Sequence, residues 1–466
     1  MNHSLVLIQS QHHQLRQHLI ADDQCESVAI ILCHRAEGDS GARLIASELI
    51  LIPADACSNR SAVRVDWPVT EYLTPDKITE IDQGGVSIIT IHSHPAGHDK
   101  FSKTDDDNDR KLFGSVCHWF DDGRPNGSAI MLPDGRIVAR LVNAKGKFTP
   151  IGSVAVIGED IRIWKPANKT TKTPEAGLRV AQAFGKNTLT LLRGLRVGVI
   201  GCSGTGSVMI ELLARNCVGQ LVLVDPDCVE HKNLNRIINA MRRDARWRKP
   251  KVKAIKKAVE SMGTGTAVEA HQAGTYNKQV VEALIDCDVI FGCVDSAEGR
   301  YHLECIASAC YLPYFDVGVH LGVDSNGTIT DATAAAHYMH PENASLLERG
   351  GYTSEQVTAE GWYRTNPKHY EQQRQDGYLP LVGEDQPAVI SINMQAACMA
   401  FNDFMARLHG FRLDPNDEFA IQRVQLVHGY CSNESAPSQN PNPLFSKYAG
   451  MGDASFLLRK LKDNGE

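Results

Sequence analysis

His92 and His94 are separated by a single residue and close an apolar run at 86–91. In an extended strand, residues two apart face the same side, so both imidazoles can turn to one ion. Ser102 and Asp105 follow, and the polar segment at 105–120 reads as a helix entered at Ser102. Asp105, at the opening of that helix, can supply a third ligand. Two histidines and one carboxylate leave a fourth tetrahedral position for water, as a catalytic rather than a structural zinc needs. Zinc would lower the pKa of that water to roughly 7. A hydrolase also needs a base. Glu26, at the head of the apolar run 27–33, is the candidate, and Glu48 is the alternative. The base would take the water proton and hand it to the leaving amine. Ser102 would donate a hydrogen bond to the tetrahedral oxyanion. The competing reading of a His-x-His pair on its own is two surface histidines.

A second constellation begins at the glycine-rich turn Gly201, Gly204 and Gly206, between a buried-strand pattern at 195–200 and an amphipathic helix pattern at 207–217. Such a turn at a helix N-terminus offers backbone N–H groups and a favourable dipole to phosphate. The next apolar run, 220–224, ends in Asp225-Pro226-Asp227. An acid about 20 positions after the glycines suits a ribose hydroxyl. On these residues alone, NAD and ATP remain open. The basic run Arg242, Arg243, Arg246, Arg248, Lys249, Lys251 and Lys253 is local and reads as part of the nucleotide site.

The elements that must carry these residues fall into two groups. Residues 1–164 alternate short apolar runs with turn signals and read as strands at 28–34, 42–52, 86–94, 128–133, 136–142 and 153–158. A polar stretch with two prolines, 165–174, reads as a linker. From 175 to 430, strand and helix patterns alternate, which predicts a parallel sheet with βαβ crossovers. The polar residues 431–466 read as a tail.

The formal net charge of -7 argues against a general nucleic-acid role, which needs clustered basic charge. No apolar stretch reaches the roughly 20 residues of a membrane span. The N-terminus lacks the regions of a secretory signal. Thirteen cysteines, an odd count scattered through apolar runs, fit the reducing cytoplasm.

The pattern His92-Ser93-His94-Pro95 followed by Ser102-x-x-Asp105 resembles the JAMM/MPN (JAB) metallopeptidase signature at every required position. The resemblance covers about 1–164 and implies a mixed sheet with helices, Zn²⁺, and a peptidase or isopeptidase that cuts after the C-terminal glycine of a ubiquitin-like protein. Cys25–Leu32 is similar to that family's Glu-then-apolar start, without its usual glycines. His98 and Asp99 are left as substrate-loop residues.

The stretch Asp225 to Arg236 is similar to the Asp-x-Asp-x-Val…Asn-Leu-x-Arg segment of the ThiF/MoeB/ubiquitin-activating superfamily, and Lys249-Pro250-Lys251 follows it as in that family. This resemblance covers roughly 175–430, including the helix start Pro387 to Asn393, and favours ATP with Mg²⁺ over NAD on a Rossmann-like fold. It implies that Asp225, with Asp227 beside it, holds the ribose. Asn233, Arg236 and Lys251 would neutralise the triphosphate while a carboxylate attacks the α-phosphorus. Asp295 would hold the metal, and Arg179 would reach across a homodimer into the neighbour's site. Ser203 departs from the family's usual glycine. Many relatives carry a thioester-forming cysteine near 343–350, whereas this chain has no cysteine between Cys310 and Cys398. Cys431 is a late cysteine in a polar setting, read as an idle surface thiol ahead of a nucleophile.

Together the halves resemble bacterial ubiquitin-like modification systems, several of them antiphage. The expected function is trimming or deconjugation of a ubiquitin-like or carrier protein and adenylation of its C-terminal glycine, with a conjugating enzyme as a further partner. The alternatives are a sulfur-carrier or peptide-activating biosynthetic enzyme and an inert scaffold.

Overall fold

The computed structural model describes residues 3–81, 85–119, 123–166, 175–383, 388–437 and 448–452. The expected linker from 167 to 174, and Pro387, lie outside the described residues. The chain forms two compact units, Met1–Thr170 with Gly450–Asp453, and Thr171–Ala449 with Ala454–Glu466.

The first unit is built on strands β1 (Ser4–Ile8), β2 (Val28–Glu37), β3 (Ala42–Leu51), β4 (Asn59–Ser61), β5 (Arg64–Asp66), β6 (Ser87–Ser93), β7 (Gly127–Met131), β8 (Ile137–Val142), β9 (Phe148–Pro150), β10 (Ser153–Ile157) and β11 (Ile161–Trp164). Nine of them form one mixed sheet in the order β11-β10-β1-β3-β2-β6-β7-β8-β9, while β4 and β5 pair as a separate ribbon. The central strand β2 is buried from Val28 to Cys33 because both of its faces are covered. Its alternate residues serve two cores. Ala29, Ile31 and Cys33 pack with Leu15 and Leu19 of the helix Gln9–Leu19. Val28, Ile30 and Leu32 pack with Ile88 and with Phe113 and Val116 of the helix Lys103–Val116. On β6, Thr90 and His92 share the parity of Ile88, so His92 faces the side on which the helix Lys103–Val116 lies.

The second unit contains β12 (Arg196–Ile200), β13 (Gln220–Val224), β14 (Ala267–His271), β15 (Val289–Gly292), β16 (Tyr314–Val323), β17 (Ile329–Met339), β18 (Ile421–Gln425) and β19 (Tyr430–Glu434). Their order is β14-β13-β12-β15-β16-β17-β18-β19. The first five run parallel, as helical crossovers require. The last three continue the sheet antiparallel, which the expected parallel pattern did not include. Short turns join β16 to β17 and β18 to β19, whereas β18 reaches β17 only after a long segment that includes the helix Ile390–His409. The limit drawn at 430 falls inside β19, so Cys431 sits in an edge strand paired to β18 rather than in a loose tail. Phe291, Phe315 and Tyr338 present one sheet face to Phe404 of the helix Ile390–His409, with ring centroids 4.8 to 6.0 Å apart.

Among the described residues, no helix is long and apolar enough to cross a membrane.

Candidate metal centre and candidate nucleotide site

The first site grows from the register between β2 and β6. Val28 lies opposite His92. Ser93 N–H then donates to the Ser27 carbonyl at 3.0 Å, so the pairing continues past the strand and sets Glu26 opposite His94. Ser27 N–H donates to Ser93 Oγ at 3.0 Å. Arg60 of β4 grips the same segment, donating to the Glu26 carbonyl at 3.0 Å and to Ser27 Oγ at 2.7 Å.

Asp105 arrives from the other element. Ser102 is the N-cap of the helix Lys103–Val116, accepting from Asp105 N–H at 3.1 Å. Asp105 Oδ2 in turn accepts from Ser102 N–H at 2.6 Å. This reciprocal cap fixes the aspartate at the first turn. The Ser102 hydroxyl is exposed and uses a lone pair for the cap, which leaves its proton free to donate.

The three expected ligands meet. His92 Nε2 and His94 Nε2 are 3.1 Å apart. Asp105 Oδ1 lies 3.4 Å from His92 Nε2, and Oδ2 lies 3.6 Å from His94 Nε2. A tetrahedral zinc with bonds of about 2.0–2.1 Å has ligands about 3.3–3.4 Å apart, so the donor set has the size and chemistry for that ion. His94 Nδ1 bonds the His98 carbonyl at 2.8 Å, which fixes the ring with Nε2 towards the site. That contact comes from the backbone of the loop otherwise read for substrate. Glu26 is buried, and its carboxylate and the two imidazoles lie within 4.8 Å of one another. Burial raises the Glu26 pKa, against the pull of His92 and His94. For Asp105, burial is outweighed by hydrogen bonds from His92 and His94, which hold its carboxyl well below the usual range. Glu48 is paired opposite Leu32, well along β2 from His92's partner Val28.

In the second unit, β12 lies between β13 and β15, and the chain turns outward in opposite directions on its two sides. The C-terminal ends of these strands therefore border a crevice of the kind in which α/β sheets bind ligands. Gly201 has φ +88°, and a Cβ there would lie 2.4 Å from the Cys293 carbonyl oxygen. A Cβ on Gly206 would lie 1.7 Å from the Gly201 oxygen, so only glycine lets the helix Gly204–Arg215 start this close to the strand. Ser203, where glycine is expected, has φ -94°, outside the left-handed region that favours glycine.

Asp225 is buried. It accepts Cys202 N–H at 2.7 Å on Oδ2 and Asp227 N–H at 2.8 Å on Oδ1, tying the glycine turn to the end of β13. Burial raises its pKa, opposed by Lys251. Lys251 Nζ, also buried, is 2.8 Å from Asp227 Oδ2 and 3.7 Å from Asp225 Oδ1. Burial alone would lower the Lys251 pKa, but the charges of Asp225, Asp227 and the exposed Asp295 raise it. Asn233 is buried and accepts Glu230 N–H at 3.1 Å.

Like Asn233, whose described bonds are local, two further expected residues stand apart from this cluster in their described contacts. Arg236 bonds Lys232 and Asn235. Arg179 is exposed and donates to Gln182 in its own helix at 2.8 Å. Of the basic run, Lys251 enters the cluster, whereas Arg242, Arg243, Arg246 and Arg248 are exposed on or beside the short helix Arg242–Arg246. A short helix buries one face, here Asp244 and Ala245, and turns the arginines outward.

Sequence reasoning missed Asn393 as a site residue. It is buried on the helix Ile390–His409 and donates to Thr205 Oγ1 at 2.8 Å beside the glycine turn. It also missed Arg60, Asp109 and Arg140, for which no local spacing gives a signal.

A His₂-carboxylate triangle on a mixed sheet and a glycine-turn crevice on a Rossmann-like sheet define a two-unit α/β protein. Residues 177–429 match the ThiF family and residues 9–138 match prokaryotic homologs of the JAB domain. The chain belongs to the ThiF family and carries a JAB domain ahead of it. It is 30% identical to the molybdopterin-synthase adenylyltransferase of Haemophilus influenzae, over 24% of this chain and 46% of that one. It is 32% identical to the tRNA threonylcarbamoyladenosine dehydratase of Bacillus subtilis, over 27% and 49%. With the SAMP-activating enzyme E1 of Haloferax volcanii it shares 33% identity, over 23% and 40%. The chain thus spans under half the length of these relatives. The structure of E. coli MccB with MccA-N7isoASN covers 60% of this chain and 76% of its own at 15% identity and a TM-score of 0.45. A likeness at that level carries no argument about activity.

Proposed function

We propose that this protein trims or deconjugates the C-terminus of a ubiquitin-like protein at His92, His94 and Asp105, and adenylates the exposed glycine at the Lys251 crevice. The observation that carries the reading is the size of the first triangle, 3.1, 3.4 and 3.6 Å, which suits one tetrahedral zinc. When bound at His92, His94 and Asp105, zinc would supply Lewis acidity for a water and the scissile carbonyl. Glu26 takes a proton from that water and returns it to the leaving amine. Ser102 donates its free hydroxyl proton to the developing oxyanion.

In the second unit, ATP with Mg²⁺ is the substrate. The backbone N–H groups of the turn after Cys202 face its phosphates, Asp225 and Asp227 serve the ribose, and Asp295 serves the magnesium. Lys251, Asn233 and Arg236 offset the charge that builds on the α-phosphate. Arg179, exposed, serves the neighbouring site in a homodimer. The relatives named as an adenylyltransferase and as an activating enzyme support this reading. The proposed setting is the cytoplasm, in a bacterial ubiquitin-like conjugation pathway of the antiphage kind, with a conjugating enzyme downstream.

One observation favours a second reading. The loop around 343–350 has no cysteine to hold a thioester, which suits an enzyme that stops at the adenylate, as sulfur-carrier or peptide activation would. The test is to give the purified chain a ubiquitin-like protein extended past its terminal glycine. Mass spectrometry should show removal of the extension, and pyrophosphate exchange should then appear with the trimmed protein. Exchange only with a sulfur carrier or a short peptide sinks the first reading in favour of the second.

A further inference from the structure

Arg140, on β8, makes no contact that the proposed chemistry uses, yet the residue is buried, at 7% exposure, and all three guanidinium nitrogens find partners. Nη2 donates to Asp109 Oδ2 at 2.6 Å, Nε lies 3.2 Å from the same oxygen and from Ser128 Oγ, and Nη1 donates to Asp106 Oδ1. Two aromatic rings pack against the guanidinium. The carbon at the centre of the guanidinium is 3.7 Å from the Phe101 ring centroid and 3.9 Å from that of Phe148. Asp109 is buried and also accepts the Ser128 hydroxyl.

All of the helix-side partners flank the same two residues. Phe101 directly precedes Ser102, Asp106 directly follows Asp105, and Asp109 lies one turn further. Residues three apart share a helix face, so Asp106 and Asp109 present one face to Arg140 while Asp105 points aside, to His92 and His94. Arg140 therefore pins the first turn of Lys103–Val116 from before the cap to beyond the ligand. An arginine suits this place better than a lysine, because its planar fork meets two carboxylates and two rings at once.

We infer that Arg140 is a positioning residue for the metal centre: it sets where Asp105 stands relative to His92 and His94, and so sets the affinity for zinc. The inference rests on the zinc reading of the first site. Residues that orient a metal ligand from behind typically change metal affinity by about 10–100-fold when removed.

The test measures zinc affinity of the full chain by competition with a chromophoric chelator, together with the visible spectrum of the cobalt-substituted protein. Three variants are compared. R140K keeps the charge and loses the fork and the stacking. R140M leaves Asp109 buried without its partner, so it can fail to fold. R140M/D109N removes both charges and keeps the fold testable. In the folded variants, the expected result is zinc binding weakened by about 10–100-fold, with an altered cobalt spectrum and far-ultraviolet circular dichroism unchanged. Folded R140K and R140M/D109N proteins with wild-type affinity and spectrum would overturn the inference. A wild-type chain that binds no zinc would instead remove the reading of the site itself, and the inference with it.

Discussion

Lys251 Nζ stands 2.8 Å from Asp227 Oδ2, at the mouth of a crevice where it is buried and Asp227 is exposed. The pair holds a cation in place before any phosphate arrives. Removing it should cost transition-state stabilisation, and because the change also leaves the buried Asp225 without its cation, circular dichroism must accompany the assay. Lys251→Ala is expected to lower pyrophosphate exchange by about 10²–10³. Exchange within a factor of two of wild type would take Lys251 out of the reaction.

Arg179 bonds only Gln182 among its described hydrogen bonds and is exposed. If it serves the neighbouring protomer, R179A and K251A should each be nearly inactive alone. Mixed in equal amounts with subunit exchange, half the dimers are mixed and each of those has one intact site, so about a quarter of the wild-type rate should return. No recovery in mixtures shown to exchange subunits would place Arg179 in its own site or outside the reaction.

Glu26 lies close enough to both imidazoles to act as base or as ligand. The proposed base role predicts that Glu26→Gln keeps zinc at one per chain while cleavage falls by about 10²–10⁴. His92→Ala and Asp105→Ala should lose the metal. Loss of zinc in the Gln variant would make Glu26 a ligand instead.

Glu304 is buried, accepts Leu346 N–H at 2.6 Å and the Tyr352 hydroxyl at 2.7 Å, and burial raises its pKa from 4.5 to about 7. The native state therefore binds this proton more tightly than the unfolded chain does. The stabilisation is complete below pH 4.5, is lost as pH rises towards about 7, and is flat beyond. At about 1.4 kcal/mol per pH unit, the upper bound is about 3 kcal/mol. Glu304→Gln mimics the protonated form, and the Tyr352 hydroxyl can turn to accept from it. Its melting temperature relative to wild type should be higher at pH 8 than at pH 5. An equal difference at both values would rule the linkage out.

Gly201 takes a left-handed φ and lies against the Cys293 carbonyl. Gly201→Ala should destabilise the second unit by about 1–3 kcal/mol and weaken ATP binding. Thermal melts with and without ATP and Mg²⁺ measure both, and an unchanged melting point would mean the turn tolerates a side chain.

The local parts of both sites could be read from spacing. His92 and His94 share a side because a strand has a period of two, and Ser102 caps its helix because a serine three residues before an acid can. The alternation of apolar runs marked β2, β6, β12, β13 and β15. The antiparallel extension through β17 and β19 was missed, because the polar and small residues at 329–339 and 430–434 carry little alternation of their own.

The sequence by itself determined which residue types could serve as ligands, which turn could face phosphate, and that two α/β units follow one another. The tertiary structure decided the rest. It set Glu26 opposite His94 through the β2–β6 register, brought Asp105 to the two imidazoles, placed Asn393 beside Thr205, and stacked Arg140 behind the metal helix. Apart from Asp105, which lies near the two histidines in the chain and whose spacing from them was legible, each of these joins residues far apart in sequence. Short motifs are fixed by the repeat of their own strand or helix, whereas such meetings depend on how whole elements pair and pack, and no local spacing encodes that.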